Sequence, residues 1–136
     1  MAHKREYKFR GTANATGEWV YGDLLHHSHW KDGSYWIRYF DEEHQCFVSV
    51  KVDPETVGQY TGVKERYPQM VGEGQEIYFG DVVRLFGGEY CQGYYEHDQT
   101  IVVKSAYDIV VMEESENVQL LGNVWDNPEL LKEGGV

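Results

Sequence analysis

Basic residues are scarce in this sequence. Its 136 residues include 12 Lys and Arg against 23 Asp and Glu, a formal net charge of −11. A protein that grips a duplex displaces counterions with a basic surface, and a chain of this charge repels phosphates at long range. Direct nucleic-acid binding is therefore not expected. The basic residues Lys4, Arg5, Lys8 and Arg10 crowd the start of the chain and read as solvated strand positions. Cysteine is scarcer still. Cys46 and Cys91 form no C-x-x-C pair, so no redox or structural-zinc motif is spelled out. No apolar run approaches the ~20 residues that span a bilayer, and none follows Met1 to Glu6 as a secretory leader requires. The expectation is a cytoplasmic protein with no membrane association and two free thiols. In that compartment the Asn14-Ala15-Thr16 sequon is a chance match. Phosphate loops, G-x-S-x-G elbows and H-E-x-x-H motifs are also missing, so no catalytic or cofactor-binding residue is assigned and no enzyme is expected.

Aromatic rings are what the chain has in quantity: 11 Tyr, 5 Phe and 4 Trp. They suit pleated sheets and argue against disorder. The length fits one domain with its own core. Strand signals run through most of the chain. Tyr7 to Arg10 alternates and stops at Gly11. Glu18 to Leu25 is a strand with a Gly22-Asp23 break. Lys31-Asp32-Gly33 reads as a hairpin turn before an aromatic strand, Ser34 to Phe40. Gln45 to Val52 alternates cleanly: Cys46, Val48, Val50 and Val52 face one way, Phe47, Ser49 and Lys51 the other. Asp53-Pro54-Glu55 ends it. A loop is expected over 63–74, then strands at Ile77–Phe86, Tyr90–Glu96, Thr100–Ser105, Asp108–Glu113 and Val118–Leu121. Only the end reads as helix, with Asn127 as N-cap, Pro128 at the first position and Glu129 in the first turn.

A weak repeat adds to this. Glu18-Trp19-Val20-Tyr21-Gly22-Asp23-Leu24-Leu25 matches Glu76-Ile77-Tyr78-Phe79-Gly80-Asp81-Val82-Val83, and Glu55-Thr56-Val57 echoes Glu116-Asn117-Val118. The expected fold is mainly β and of SH3-like barrel type. It would have two tandem pseudo-repeated halves, about 1–62 and 75–136, around a shared core, closed by a short C-terminal helix.

Three stretches resemble the YopX family: Phe9-Arg10-Gly11 with Thr16 to Leu24, Val52 to Gly62 with Glu76 to Val83, and Leu121 to Leu130. Together they frame nearly the whole chain as a single YopX-like domain. The connection from Lys64 to Gln75 is longer than the family's usual one, and Leu25–Gln45 and Phe86–Ser115 carry little family wording. The resemblance implies a phage or prophage protein in a bacterial host cell, a β-rich fold with SH3-like barrels and no established activity. It supplies no catalytic residues.

Candidate chemistry is sparse. Gly22-Asp23 and Gly80-Asp81 invite reading as paired carboxylates. Their repetition favours structural turn residues instead, each aspartate accepting backbone N–H groups. In His26-His27-Ser28-His29, His27 and His29 would point the same way on a strand, as a metal pair does, and His44 with Cys46 would complete four ligands. No spacing signature supports a metal, so no metal ligand is assigned and the cluster reads as an exposed hairpin tip with polar histidines. Trp19 with Tyr21, or Tyr94 and Tyr95 with Trp30, could form an aromatic cage, against a default of core packing. The expected function is a non-enzymatic binding or protein-interaction module with an unidentified host or phage protein as partner. The alternatives are an acidic DNA mimic that occupies a DNA-binding protein and a metal-dependent enzyme built on the His26–His29 cluster. Open strand edges would also permit a homo-oligomer.

Overall fold

The computed structural model describes residues 8–26, 33–70, 72–87, 89–90, 93–94 and 98–131. The chain divides after Tyr60 into two compact units. In the first, four strands form an antiparallel meander and a fifth crosses back to pair with the first of them. β1 (Phe9–Thr12), β2 (Trp19–His26), β3 (Tyr35–Asp41) and β4 (Cys46–Val52) lead through a 3₁₀ turn (Pro54–Thr56) into β5 (Gly58–Lys64). The strands lie in the order β4-β3-β2-β1-β5. The period of two is visible in burial. Ile37 and Val52 are buried and Val48 and Val50 half-buried, while Arg38, Phe40, Phe47, Ser49 and Lys51 stand exposed. The 3₁₀ turn forms because Asp53 Oδ1 accepts the Glu55 N–H at 3.0 Å and proline occupies the first helical position. Thr56 Oγ1 then accepts the Thr12 N–H at 2.9 Å, tying the turn to β1.

The second unit begins within β5, where the Thr61 hydroxyl donates to the Ile77 carbonyl at 2.7 Å. It continues through β6 (Glu76–Tyr78), β7 (Asp81–Phe86), β8 (Glu89–Tyr90), β9 (Gly93–Tyr94), β10 (Asp98–Val102), α1 (Ala106–Glu114), β11 (Asn117–Asn123) and a last 3₁₀ turn (Pro128–Leu131). β7 is the middle of a three-stranded antiparallel sheet, β10-β7-β11, and β8 pairs with β9. Its core gathers Val63, Ile77, Val83, Leu85, Val103, Met112 and Val118, with Ile109, Val111 and Leu120 packed alongside. Each fully buried aliphatic of this size contributes about 1.5–3 kcal/mol.

The mainly β expectation holds, but the finer architecture differs. Among the described residues both sheets stay open and neither closes into a barrel. Between β10 and β11 the chain coils into α1, where the β-branched run at 108–113 reads as a strand. Two local devices override that propensity. Asp108 Oδ2 reaches back to accept the N–H groups of Lys104 and Ser105 at 3.0 and 3.1 Å, closing the helix start. At the other end the Arg66 guanidinium donates to the carbonyls of Met112 (2.6 Å), Glu113 (3.3 Å), Glu116 (3.2 Å) and Ser115. Met112 and Glu113 lie in the last turn, where carbonyls lack the N–H of a following turn, and a cation suits that end of the dipole. Burial then follows helical spacing, with Met112 buried and Ile109 half-buried while Tyr107 and Val110 face out.

The expected terminal helix is a 3₁₀ turn, because Asn127 Oδ1 turns back to accept the Asn123 N–H at 3.2 Å. The loop expected over 63–74 starts later, since β5 runs to Lys64, and the strand expected over 77–86 breaks at Phe79-Gly80 into β6 and β7.

The Gly-Asp repeat also resolves into unlike parts. Gly22 and Asp23 lie inside β2, where a Cβ at position 22 would sit 2.2 Å from the Arg38 carbonyl oxygen. Gly80 is a turn residue with φ +96°, and a Cβ there would lie 2.3 Å from the Trp125 ring. One glycine permits close approach of two strands; the other supplies a left-handed dihedral under an indole. The Glu-x-Val echo divides likewise: Glu55 and Thr56 lie in the 3₁₀ turn, and Asn117 and Val118 in β11.

Two stability outcomes follow. Arg66→Ala should lower the unfolding free energy in urea by about 2–3 kcal/mol, the scale of losing a charge-assisted hydrogen-bond cluster. Arg66→Lys should recover little of it, because an ammonium lacks the planar fork. Gly80→Ala should cost about 2–4 kcal/mol, combining backbone strain with overpacking against Trp125. In a Trp125→Ala background the same change should cost only about 1 kcal/mol, the strain alone, and the cycle should be non-additive.

Candidate functional site

The period of two brings Tyr21 and Asp23 from β2, Arg38 and Phe40 from β3, and Phe47 from β4 to one side of the first unit's sheet. The register places Asp23 opposite Arg38, Phe40 opposite Phe47 and Arg38 opposite Ser49. With Lys8, Gly22 and Tyr39 these residues line an open groove of about 500 Å³. Ligand sites commonly span about 300–1,000 Å³. Tyr21, Phe40 and Phe47 are 46%, 43% and 59% exposed. A single exposed ring needs no explanation; three bordering one groove make this face the candidate site.

Cations are laid over rings across the same sheet. The Arg38 guanidinium lies 4.2 Å from the Phe47 ring centroid, that of Arg10 lies 4.6 Å from Trp19, and Lys8 Nζ lies 5.6 Å from Tyr60. Phe40 meets Phe47 edge to face, with centroids 5.2 Å apart. A ring quadrupole holds a guanidinium without neutralising its charge. Among the described residues Arg38 makes no ion pair.

The residues singled out from sequence distribute as follows. Asp23 is exposed in the groove. Asp81 is buried, and its Oδ2 accepts the Tyr78 N–H at 2.7 Å, so it holds the β6–β7 corner. His27, Ser28, His29, Trp30, Cys91 and Tyr95, with the Tyr94 side chain, lie outside the described residues. His26 is exposed and stacks on Tyr35, the rings 3.9 Å apart. His44 and Cys46 do not complete a set with His26. Tyr35 faces His26 across one strand pair, and Asp41 faces Cys46 across the next. The two ends of β3 are about 20 Å apart at ~3.3 Å per residue.

At the β3–β4 hairpin, His44 Nδ1 lies 2.7 Å from Asp41 Oδ2. That hydrogen bond, opposed by partial burial and helped by the His44 and Glu43 backbone N–H groups, holds the Asp41 carboxyl below the ordinary carboxylate range. Asp41, Glu43 and His44 offer ligand atoms within 4.8 Å of one another. This is a solvated turn held by its own hydrogen bonds.

Sequence reasoning selected Trp19 and Tyr21 but passed over Arg38, Phe40 and Phe47. A signal was present, since the alternation of 45–52 already set Phe47, Ser49 and Lys51 on the face opposite the valines. The charge is also uneven. Residues 1–60 carry 9 acidic and 7 basic residues, and residues 61–136 carry 14 and 5. Several acids of the second unit are internally engaged. Glu65 accepts the N–H groups of Gln75 and Leu120, Asp108 holds the start of α1, and Asp98 forms a two-bonded pair with Arg84.

No helix among the described residues is long and apolar enough to cross a membrane. No curated protein and no solved structure matches the chain. A family model described as YopX protein matches residues 8–132. The sequence likeness thus runs through every element from β1 to the last 3₁₀ turn, and the chain belongs to the YopX family.

Proposed function

We propose that this protein is a non-catalytic binding module, encoded by a phage or prophage and working inside the host cell, that seats its ligand on the outer face of β2–β4. The observation that carries this reading is the joint exposure of Tyr21, Phe40 and Phe47 around one groove with Arg38 among them. Large rings and arginine are the side chains that supply most binding energy at recognition surfaces. The groove sits on regular strands, so these side chains are held ready rather than ordered on binding. Membership of the family supports the phage origin, because the three stretches that carry the likeness are those of phage and prophage proteins. Charge mimicry of DNA has less in its favour. It needs a free track of carboxylates, and Glu65, Asp81, Asp98 and Asp108 are engaged in holding the second unit together.

The test is retention from a phage-infected host lysate by immobilised full-length protein. Wild type is compared with Phe40→Ser/Phe47→Ser and with Val110→Ser, a control on the exposed side of α1. All three should keep the same circular dichroism and similar unfolding midpoints. A macromolecule retained by wild type and the control, but reduced at least tenfold on the double variant, is the expected result. Equal retention by all three proteins would overturn the reading.

A further inference from the structure

We propose that the occupant of this face is a single-stranded nucleic acid, its bases stacked on Tyr21, Phe40 and Phe47 and its phosphates met by Arg38 and Lys8. This ligand class requires the face to be the binding surface argued above, and it adds what that surface recognises.

On the outward side of the sheet β3 sets Arg38 between Trp36 and Phe40, β2 adds Tyr21, Asp23 and Leu25, and β4 adds Phe47, Ser49 and Lys51. Every large apolar side chain exposed among the described residues of the first unit is a ring: Tyr21, Phe40 and Phe47. The second unit exposes one ring, Tyr107, along with the aliphatic Val110, Leu121 and Leu131. Three rings beside an arginine that makes no ion pair among the described residues match a ligand that is planar and anionic in repeating units. Bases stack on aromatic side chains whatever their identity, because every base has a π-face.

The geometry suits an unpaired strand. Tyr21, Phe40 and Phe47 come from three adjacent strands, so the rings are spread over about 10 Å at ~4.8 Å per strand. That is room for two or three splayed nucleotides. Arg38, lying on Phe47, adds a guanidinium plane on which a further base can stack, and it keeps N–H groups for a phosphate. Asp23 faces Arg38 across the strand pair and lines the groove. A carboxylate there repels a phosphate but can accept from the exocyclic amino group of a base. A duplex hides its base faces and would gain nothing from the rings.

The net charge of −11 argues against a nucleic acid only at long range. The Debye length is about 8–10 Å at physiological salt, so contact is governed by the local groups. The charged groups that line the groove are Lys8 and Arg38 against Asp23, in a unit whose 9 acids and 7 bases nearly balance. Slow association and modest affinity are the consequence.

The test is fluorescence anisotropy on the full chain with labelled 12-nucleotide probes: oligo-dT, a mixed DNA strand, the same sequence as RNA, and the matching DNA duplex, each in 50 and 200 mM salt. Single strands should bind more tightly than the duplex. Phe47→Ala and Tyr21→Ala should each weaken binding roughly five- to a hundredfold, the range seen when one base loses its ring. Phe47→Tyr, which keeps the ring, should bind as wild type does. Arg38→Gln should make the log–log salt slope shallower by about 0.7, one phosphate contact on a single strand. The DNA and RNA arms show which sugar is preferred. No saturable binding at 50 mM salt, equal binding of duplex, or indifference to both ring deletions would overturn the proposal. If oligonucleotides fail while lysate retention still depends on Phe40 and Phe47, the face binds something other than nucleic acid. If retention is also unaffected, the face itself has been misassigned.

Discussion

At Gly22 the backbones of β2 and β3 come too close for any side chain, since a Cβ would stand 2.2 Å from the Arg38 carbonyl oxygen. Everything on the outer face of the first unit depends on the register this contact belongs to. It sets Asp23 opposite Arg38, and β3 then carries the register to β4, setting Phe40 opposite Phe47. A one-residue slip would send every ring and cation to the opposite face and bring the valines out. The groove is therefore a consequence of strand pairing. It needs no loop to form it, which is why its side chains can act as a preformed surface.

The second unit is held by a different device. Its turns and ends are closed by side chains that take over backbone hydrogen bonds. Arg66 collects the carbonyls at the end of α1, and Glu65 holds the N–H groups of Gln75 and Leu120. Asn123 Oδ1 accepts from Trp125 and Asp126, shaping the corner that sets the Trp125 ring against Gly80. Buried backbone groups must find partners, and in a unit with one short helix and short strands the ladders alone do not supply them. Some of the unit's acids serve the scaffold in this way, Glu65, Asp81 and Asp108 each accepting backbone N–H groups, so net charge alone is a poor guide to what the surface can meet.

The legible and illegible parts of the fold divide along the same line. β1 to β4 could be read because glycine, proline and strict alternation are local signals. The 3₁₀ turn after β4 was legible in part, since Asp53-Pro54 announces the end of a strand. The helix at 106–114 was not. Ile109, Val110 and Val111 favour a strand, and the residue that closes the helix end, Arg66, lies 46 positions before Met112. The two Gly-Asp steps share letters but not backbone, because glycine serves close approach at one and a positive φ at the other. For the candidate site, Phe47 was within reach of the alternation. Its partners Arg38 and Phe40 could be added only once the register between strands was known.

The residues that carry the family likeness mostly hold the framework. Asp53 and Thr56 fix the turn after β4, Asp81 the β6–β7 corner, and Asn123, Trp125 and Asn127 the last turn. Arg38 and Phe40 fall in the stretch from Leu25 to Gln45 that carries little family wording. A scaffold of this kind does not dictate a function, which has to be argued from the site it supports. The framework presents β2–β4 with one face free, and the side chains placed there determine what can bind. In this chain they are three rings with Arg38, Lys8 and Asp23 among them, on the unit that holds fewer of the molecule's negative charges. The overall acidity and the local chemistry thus point in opposite directions. At contact distance the local chemistry decides, because salt screens the rest.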